Sequence, residues 1–332
     1  MILITGGAGY IGSHTALSLL EYGHEIIVID SLENSSIEVI KRLKAISGKS
    51  FPFYQCDIRD QIQLESIFIE NDIKTVIHFA GLKSISESNK YPIVYFDNNV
   101  NGFISLIKTM QNNNIKNIVF SSSATVYGLP DKLPIKEDAK LSALNPYGRT
   151  KLMIENILND IYESDSSWNI SILRYFNPVG AHESGLIGED PKNTPTNLFP
   201  LVSLVAAGQQ DFLRVYGNDY LTPDGTGVRD YIHVSDLAKG HLSALKIFKK
   251  NGSKHVLNLG TGKGFSVLEI IKEFENISNK KIPYKIQERR QGDAPTCYAD
   301  VSYAHSLMNW SAEKSLKKMC QDQWRWQNNN NH

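Results

Sequence analysis

The sequence predicts an α/β protein with a doubly wound parallel sheet and a smaller mixed α/β lobe. Apolar runs of strand length alternate with amphipathic helical stretches through the first half of the chain. A turn that carries Gly6, Gly9 and Gly12 separates the first apolar run from the first helical stretch. The chain has 332 residues, which is enough for one large domain and a second lobe.

Residues 1–30 are arranged as strand, glycine turn, helix and strand, and the second strand ends at Asp30. Glycines at this spacing allow a tight turn, close approach of a phosphate and close packing of helix on strand, as in the Rossmann-type fold. The helix N-terminus then offers unpaired N–H groups to a pyrophosphate. Asp30 follows Gly12 by 18 residues, near the ~20 expected for a carboxylate that accepts adenosine ribose hydroxyls. Because its charge repels a 2′-phosphate, the sequence predicts NAD rather than NADP.

The later elements continue the alternation. Further strands are expected at 51–56, 75–79, 118–120 and 170–175, with helices at 37–46, 61–69, 92–112 and 147–161. Strands of a parallel sheet are buried on both faces, which explains their nearly continuous Val, Ile and Leu content.

A glycine- and proline-rich region begins after Phe176, and we place the domain boundary there. Residues 1–176 are predicted to form the NAD-binding domain. Residues 177–332 are predicted to form mainly a substrate lobe, with some segments returning to the first domain. The lobe is expected to contain helices at 197–207, 266–274 and 313–324, strands at 213–216, 231–234 and 255–259, and a helix between the last two strands.

Composition limits the partners and the compartment. Lys plus Arg and Asp plus Glu both number 35, so there is no basic excess to favour a nucleic acid or a membrane surface. No apolar run approaches the ~20 residues of a membrane span, and the chain starts on a core strand, so no leader is expected. Cys56, Cys297 and Cys320 are far apart and suggest a reducing cytoplasm. Neither cysteine nor histidine spacing predicts a metal site.

Tyr147 and Lys151 form the predicted chemical centre. They are four residues apart at the start of a helix, so both side chains lie on one face about one turn apart. An ammonium beside a phenol, together with a positively charged nicotinamide, is expected to lower the tyrosine pKa from about 10 towards 7. Ser123 ends the fifth strand and is expected to hydrogen-bond the same substrate hydroxyl, because ligands bind at such strand ends.

Several stretches of the chain resemble the UDP-glucose 4-epimerases (UDP-galactose 4-epimerases), a group within the extended short-chain dehydrogenase/reductase family. The similarity runs almost from end to end and includes the QDQWRWQ tail. The stretches are TGGAGYIGSHT (5–15), TVIHFAGLK (75–83), SSSATVYG (121–128), NPYGRTK (145–151), LRYFNPVGAH (173–182) and DGTGVRDYIHVSDLA (224–238).

The resemblance implies an isomerase that uses tightly held NAD+. In the family, NAD+ takes a hydride from C4 of the sugar while a tyrosine removes the 4-hydroxyl proton. The 4-ketose then turns over and accepts the hydride on its other face. By resemblance Tyr147 is the base, Lys151 its electrostatic partner and nicotinamide-ribose anchor, and Ser123 the hydroxyl ligand.

The remaining site residues are also assigned by resemblance. The implied cofactor contacts are Gly6, Gly9, Tyr10, Ile11, Gly12, Asp30, Asn34, Asp57, Ile58, Phe79, Ala80, Lys83, Asn98, Tyr147, Lys151 and Tyr175. The implied contacts to a UDP-hexose are Ser123, Asn177, Asn197, Leu198, Tyr216, Arg229, Arg290, Asp293 and Cys297. Arginines suit the two phosphates because the guanidinium fork matches their oxygens. The resemblance also implies a homodimer that pairs through residues 92–112 and 147–161.

Two other activities compete with epimerisation. Sugar-nucleotide dehydratases in the family carry an Asp-Glu acid/base pair just after the position of Ser123, where this chain has Ala124 and Thr125. A non-catalytic NAD-sensing protein is the second alternative. Such proteins can lose the tyrosine or the lysine, whereas Tyr147 and Lys151 are both present here.

Cys297 bears on the range of substrates. In the family, the residue at this position walls the pocket beside the C2 substituent of the sugar, and a bulky tyrosine there restricts the enzyme to glucose and galactose. A cysteine leaves room for an N-acetyl group, whereas overpacking costs ~1–3 kcal/mol or more. We therefore expect activity on the UDP-N-acetylglucosamine pair as well as the UDP-glucose pair. A one-residue slip would instead place Tyr298 on the wall.

Overall fold

The computed structural model describes residues 1–192, 195–290 and 292–330. Within these residues the strands are β1 (Ile2–Thr5), β2 (Ile26–Asp30), β3 (Phe53–Gln55), β4 (Thr75–His78), β5 (Asn117–Ser123), β6 (Asn169–Tyr175), β7 (Asn177–Val179), β8 (Leu213–Tyr216), β9 (Val228–Arg229), β10 (Tyr231–His233), β11 (Ser253–Leu259), β12 (Phe265–Ser266), β13 (Tyr284–Gln287) and β14 (Thr296–Cys297).

The α-helices alternate with these strands. They are α1 (Tyr10–Glu21), α2 (Ile37–Ser47), α3 (Gln61–Glu70), α4 (Ile85–Lys90), α5 (Pro92–Tyr95), α6 (Gly102–Asn112), α7 (Pro146–Ser164), α8 (Leu198–Ala206), α9 (Val234–Lys246), α10 (Val267–Ser278), α11 (Ser302–Met308) and α12 (Leu316–Asn329). A π-helical segment, Phe96–Asn101, joins α5 to α6, and a 3₁₀ turn, Ala124–Tyr127, follows β5.

The main sheet has seven strands in the order β11-β6-β5-β4-β1-β2-β3. Every neighbouring pair in this sheet is parallel. The predicted doubly wound parallel sheet is therefore confirmed. The chain builds outward from β1 to β3 and then returns to place β4 on the other side of β1. The resulting crevice between β1 and β4 is the topological switch point, where such sheets bind ligands.

Helices cover both faces of the sheet because successive strand residues point to opposite sides. Ile4 and Val28 face the side on which α1 packs against α9. Leu3 and Phe120 face the side covered by α3, α6 and α7. The four residues are fully buried, so the sheet is apolar on both faces.

The second lobe has its own apolar core, in which Phe199 of α8, Phe274 of α10 and Met319 of α12 meet. Small sheets flank this core: β8 pairs with β13, β7 pairs with β10, and β9 lies between β12 and β14. One segment from this half of the chain joins the main sheet, since β11 lies beside β6. Periodicity predicts that a strand exists near 255–259 but does not tell which sheet it joins.

The sequence prediction missed the shortest elements. Helices α4 and α11 have six and seven residues, too few to establish a helical period. Strand β13 is exposed along its whole length and carries no buried stripe. The helix expected at 313–324 begins instead at Leu316, where Ser315 caps it, and continues to Asn329. None of the helices within the described residues is long and apolar enough to cross a membrane.

Replacing Gly12 with Ala is expected to destabilise the protein by at least ~2 kcal/mol. A Cβ at Gly12 would lie 2.2 Å from the carbonyl oxygen of Gly6 and 2.9 Å from Cα of Gly7, and neither backbone atom is the end of a flexible side chain. Alanine in a helix interior is otherwise more stable than glycine by ~1 kcal/mol. A loss of stability in Gly12→Ala would therefore point to the steric clash and not to helix propensity. The measurement is the free energy of unfolding in urea.

Gly9→Ala is the matched control for this prediction. Its Cβ would lie 3.2 Å from the same Gly6 oxygen, and its φ of −74° suits any residue. A Gly12→Ala protein as stable as the Gly9→Ala protein would contradict the expected clash.

Candidate active site

The glycine turn lies at the switch point of the main sheet. Gly6 has a φ of +68°, and a Cβ there would lie 2.7 Å from the backbone nitrogen of Ala80, just beyond β4. Gly9 is the N-cap of α1 and has no side chain, so no side chain caps the N–H groups at the start of that helix. The turn therefore forms a close backbone cradle with open N–H groups, which fits a dinucleotide pyrophosphate.

Asp30 accepts hydrogen bonds from both this turn and the loop after β2. Its Oδ2 accepts a hydrogen bond from the backbone nitrogen of Ala8 at 3.0 Å. Its Oδ1 accepts from the backbone nitrogen of Leu32 at 2.9 Å and from the hydroxyl of Ser35 at 2.8 Å. Two carboxylate oxygens offer about four acceptor positions, so one remains for a ribose hydroxyl.

Three predicted cofactor residues lie towards the edge of the sheet at β3. Asp57 is held by Arg59, whose Nη2 lies 2.6 Å from Oδ2, and hydrogen bonding by this guanidinium lowers the pKa of Asp57. Ile58 is buried against Gly102 of α6. Asn34 is exposed, and its Oδ1 accepts from the backbone nitrogen of Lys192 at 3.3 Å.

The other predicted cofactor residues lie nearer the switch point. The hydroxyl of Tyr10 donates to the carbonyl oxygen of Gly180 at 2.5 Å, and Ile11 packs against the core on the α1 face. The backbone nitrogen of Ala80 donates to the hydroxyl of Thr5 at 3.3 Å. Asn98 is half-buried in the π-helical segment.

Phe79 and Tyr175 both contact His241 of α9, although they lie at the ends of different strands. The rings of Phe79 and His241 are 4.8 Å apart, and the buried hydroxyl of Tyr175 hydrogen-bonds the His241 imidazole. Burial lowers the pKa of His241 to about 4, so the ring is neutral at physiological pH. No sequence pattern singles out His241, since a lone histidine in a helix has no distinctive spacing.

Helix α7 presents Tyr147 and Lys151 beside the end of β5. Asn145 caps the helix by accepting from the backbone nitrogen of Gly148 at 2.8 Å. The ammonium of Lys151 donates to the carbonyl oxygen of Ser121 at 2.7 Å and lies 5.9 Å from the ring centroid of Tyr147. The predicted pair is therefore brought together, with the ammonium directed at the β5 backbone.

Ser123 completes this group from the last position of β5. Its hydroxyl oxygen accepts from the backbone nitrogen of Thr125 at 3.2 Å and from the Thr125 hydroxyl at 3.0 Å. Ser123 also lies close enough to the Tyr147 phenol to favour its ionised form. Ser123, Tyr147 and Lys151 thus lie together at the end of β5.

The pKa of Tyr147 is raised above its ordinary value of 10.0 by burial, while Ser123 acts in the opposite direction. The lowered pKa expected from the sequence depends on a positively charged nicotinamide as well as on Lys151, so it stays a prediction. Burial raises the Tyr147 pKa because it penalises the phenolate, and the Lys151 ammonium is directed at the Ser121 carbonyl oxygen. Burial also lowers the pKa of Lys151 to about 8, although attraction to Glu155 opposes that shift.

Glu155 lies one helical turn beyond Lys151, and it was not predicted from the sequence. Its buried carboxylate accepts from Nη2 of Arg174 at 2.7 Å, from Nε of Arg174 at 3.1 Å and from the hydroxyl of Ser122. The i, i+4 spacing from Lys151 was the available signal. Glu155 is paired with Arg174, but its carboxylate still attracts the Lys151 ammonium.

The arginines predicted for the substrate lie on the second lobe. Nη2 of Arg229 is 3.7 Å from Oδ1 of Asp293, and its Nη1 donates to the carbonyl oxygen of Val228 at 2.9 Å. The guanidinium of Arg290 stacks 4.0 Å from the ring centroid of Tyr216. The Arg229 guanidinium is thus oriented by a carboxylate and the Arg290 guanidinium by a ring, and neither is buried.

Three further substrate residues begin elements of this lobe. Asn177 is exposed at the start of β7, and its backbone nitrogen donates to the carbonyl oxygen of Asp230 at 2.9 Å. Asn197 is the N-cap of α8, and Leu198 is the first residue of that helix. The amide of Asn197 donates to Glu189 at 2.8 Å, and the ammonium of Lys83 donates to the same carboxylate oxygen at 2.7 Å.

Cys297 is the parallel partner of Arg229 and lies among the residues that pack on the 3₁₀ turn after Ser123. It is half-buried, and burial raises its pKa to about 11, so the thiol is neutral. The adjacent Tyr298 lies near Gly264, where an added Cβ would be 3.7 Å from its ring. Cys297, unlike Tyr298, is among the apolar residues that pack against the 3₁₀ turn.

Within the described residues, no group of three or more His, Cys, Asp or Glu side chains is arranged to hold a metal ion. The polar groups near the glycine turn and the end of β5 are instead backbone amides, hydroxyls, the Asp30 carboxylate and the ammonium groups of Lys83 and Lys151. This donor set suits a phosphorylated organic cofactor and a hydroxylated substrate.

Comparison with known proteins shows similarity along nearly the whole chain. A family model described as GDP-mannose 4,6 dehydratase matches residues 3–323. The UDP-glucose 4-epimerase of Bacillus subtilis (strain 168) is 53% identical over 329 residues, which cover 99% of this chain and 97% of that protein.

Solved structures agree with this result. The UDP-glucose 4-epimerase from Bifidobacterium longum, in complex with NAD+ and UDP, has a TM-score of 0.96 and 50% identity, with coverage of 99% of this chain and 98% of that one. The UDP-Glc/GlcNAc 4-epimerase from Campylobacter jejuni has a TM-score of 0.86 and 36% identity, with 99% of each chain covered.

Replacing Glu155 with Gln is expected to lower the pKa of Lys151 below its value of about 8. The substitution removes the carboxylate that attracts the ammonium and leaves the positive charge of Arg174 unneutralised nearby. The shift can be followed in protein labelled with [¹³C]lysine, with the Lys151 signal identified by its loss in Lys151→Met.

Glu163→Gln on the same helix is the control, because this carboxylate is exposed and pairs with Lys254. Near-ultraviolet circular dichroism verifies that each variant is folded. A folded Glu155→Gln protein in which Lys151 titrates as in the wild type would show that Glu155 does not support the ammonium.

Proposed function

The chain belongs to the extended short-chain dehydrogenase/reductase family and, within it, to the UDP-glucose 4-epimerases, and from this premise we propose that it interconverts UDP-glucose and UDP-galactose with bound NAD. The observation that carries the proposal is the cluster of Ser123, Tyr147 and Lys151 beside the glycine cradle at the switch point. Identity of 53% over nearly the full chain to a UDP-glucose 4-epimerase supports the same reaction.

The cofactor side is formed by the first domain. We propose that the open N-terminus of α1 binds the pyrophosphate and that Asp30 accepts a hydrogen bond from the adenosine ribose. Residues 1–176 would thus supply most NAD contacts, and residues 177–332 most contacts to the UDP-sugar. When bound, NAD+ supplies an acceptor for the hydride at C4 of the sugar, and its reduced form returns that hydride.

Tyr147 acts on the proton of the 4-hydroxyl. Its phenolate oxygen takes this proton as the carbon–hydrogen bond at C4 breaks, and it returns the proton when the transient 4-keto sugar is reduced on the other face. Ser123 hydrogen-bonds the same oxygen. Because burial raises the tyrosine pKa in the protein alone, the positive charge of the oxidised nicotinamide and of Lys151 must together offset the cost of the phenolate.

The diphosphate is assigned to the guanidinium groups of the second lobe. Arg229 and Arg290 are oriented by Asp293 and by the Tyr216 ring, so they need little ordering when they bind phosphate oxygens. Asn177, Asn197 and Leu198 are proposed to complete this side of the site.

The range of substrates is proposed to include the N-acetylated pair, UDP-N-acetylglucosamine and UDP-N-acetylgalactosamine. Cys297 is half-buried beside the 3₁₀ turn that follows Ser123, where a small side chain leaves room next to the sugar. Tyr298, which would narrow the pocket, lies on the Gly264 side. Similarity to the UDP-Glc/GlcNAc 4-epimerase of Campylobacter jejuni supports this range.

Dehydration fits the site less well, despite the dehydratase name of the matching family model. The two residues after Ser123 are Ala124 and Thr125, which begin the 3₁₀ turn. Neither side chain can act as an acid or a base at neutral pH. A non-catalytic NAD sensor would have no need of the Tyr147 and Lys151 cluster.

A homodimer is proposed through the surface formed by residues 92–112 and 147–161. Large apolar side chains are exposed there, with Ile93 at 77%, Val94 at 51% and Met153 at 45%. Helices α5 and α7, which carry them, are in contact. A cytoplasmic location is proposed because Cys56, Cys297 and Cys320 are all free thiols, as expected in a reducing compartment.

Replacing Tyr147 with Phe is expected to lower kcat for conversion of UDP-galactose to UDP-glucose by ~100-fold or more. The variant keeps the ring but loses the group that moves the proton, and general acid–base catalysis contributes ~10²–10⁴-fold. The assay couples UDP-glucose formation to a specific dehydrogenase. Tyr22→Phe, which alters an exposed tyrosine, is the control.

Two results would contradict the proposed reaction. A wild-type protein that forms no UDP-glucose from UDP-galactose would exclude it. Release of a stable keto-sugar nucleotide in place of the epimer would favour dehydration.

Replacing Cys297 with Tyr is expected to abolish epimerisation of UDP-N-acetylgalactosamine and to spare UDP-galactose. The larger ring would fill the space proposed for the N-acetyl group, and such overpacking costs ~1–3 kcal/mol or more. The measurement is kcat/KM for both substrates, with Cys297→Ser as the control of similar size. Equal loss of both activities would show that Cys297 does not wall the sugar pocket.

A further inference from the structure

Glu189 lies on the segment between β7 and α8 and joins residues assigned to two different ligands. Its Oε1 accepts from the ammonium of Lys83 at 2.7 Å and from the amide of Asn197 at 2.8 Å. Lys83 follows β4 in the cofactor domain, whereas Asn197 caps α8 in the second lobe. One carboxylate oxygen therefore connects a predicted cofactor contact with a predicted substrate contact.

The carboxylate is well placed to orient both partners because it is itself buried. The Glu189 side chain is 6% exposed, whereas the Lys83 side chain is 49% exposed. A buried carboxylate must retain its partners, because an unpaired charge is costly in the protein interior. The ion pair already restricts the Lys83 side chain, so less side-chain entropy remains to be lost when a ligand binds.

The conformation of Asn197 gives a second, independent observation. Asparagine is among the best N-cap residues, yet Asn197 makes no side-chain capping bond to α8. Its amide is instead turned to Glu189. The first N–H groups of α8 therefore have no capping bond from Asn197 at the position where that helix begins.

The glycine turn also lies within the electrostatic reach of this carboxylate. Burial is the main reason that the pKa of Tyr10 is raised, and repulsion by Glu189 adds to it. The hydroxyl of Tyr10 donates to the carbonyl oxygen of Gly180, close to the start of the segment that carries Glu189. The segment is thus attached to the cofactor turn at one end and to α8 at the other.

We propose that Glu189 is a positioning residue that couples the retention of NAD to the binding of the UDP-sugar, by holding Lys83 on one side and Asn197 on the other. The proposal rests on the proposed function for the identity of the two ligands. It assigns to Glu189 no contact with the reacting atoms. Because coupling between sites is reciprocal, loss of the carboxylate is expected to weaken both ligands.

Two substitutions separate the two arms of this coupling. Glu189→Gln keeps an oxygen that can accept from Asn197 but removes the charge that holds Lys83. Glu189→Ala removes both interactions. Retention of NAD is therefore expected to fall in both variants, whereas the Kd for UDP should rise about 3- to 10-fold in Glu189→Ala and less in Glu189→Gln, as expected for loss of one hydrogen bond.

The measurements do not depend on turnover. The NAD content per protein chain is determined after extensive dialysis, and the Kd for UDP is measured by calorimetry on the NAD-loaded protein. Glu183→Gln is the matched control, because Glu183 is exposed on the same segment. Thermal unfolding is recorded for every variant to separate binding effects from loss of stability.

A double variant tests whether Glu189 acts through Lys83. Lys83→Met leaves the buried carboxylate without its cation, so Lys83→Met/Glu189→Gln should retain more NAD than the sum of the two single losses predicts. Additive losses would overturn the proposal, and so would wild-type NAD content and UDP affinity in Glu189→Ala. A lower melting temperature with unchanged binding would likewise assign Glu189 a structural role only.

Failure of the proposed function gives a different result. A wild-type protein that binds NAD and UDP but does not convert UDP-galactose would refute the epimerase assignment. The Glu189 variants would still report on the coupling between the two ligands.

Discussion

The close backbone approach at the glycine turn is the constraint on which the rest of the structure depends. Gly6, Gly12 and Ala80 meet at distances that leave no room for a Cβ at either glycine. This contact brings the start of α1 against the end of β4 and so fixes the crevice at the switch point. The cofactor cradle and the end of β5, beside which α7 begins, both lie at the carboxyl ends of the parallel strands.

The buried charged groups of the site form a series beside Tyr147 that runs from Lys151 to Glu155 and then to Arg174. Lys151 lies between the Tyr147 phenol and the Glu155 carboxylate, and Glu155 is in turn neutralised by Arg174. A buried ammonium alone would lose its proton easily, because desolvation lowers its pKa. The Glu155 carboxylate limits that loss by raising the Lys151 pKa. The positive charge at Lys151 is thereby kept without a large excess of charge in the core.

The sequence was sufficient for features that depend on spacing along the chain. The glycine turn, the acid at the end of β2 and the Tyr147–Lys151 pair all follow from spacing along the chain, and the structure places them at the carboxyl ends of β1, β2 and β5. Features that depend on contacts between distant segments were not predictable in this way. The link from Glu189 to Lys83 spans 106 positions of the chain, and no local pattern marks it. For the same reason, the sequence predicts that some segments of the second half return to the first domain but does not identify β11 as one of them.

The predicted lowering of the Tyr147 pKa depends on the charge of the nicotinamide as well as on Lys151. In the protein itself, burial of the ring raises this pKa, and the Lys151 ammonium donates to the Ser121 carbonyl oxygen. A permanently ionised tyrosine would bring a second buried charge beside Lys151 in every state of the protein. The observed arrangement instead keeps Tyr147 protonated until further positive charge enters the site. The base would then ionise only when the oxidised cofactor is in place, so that proton removal and hydride removal from the sugar require the same occupied site.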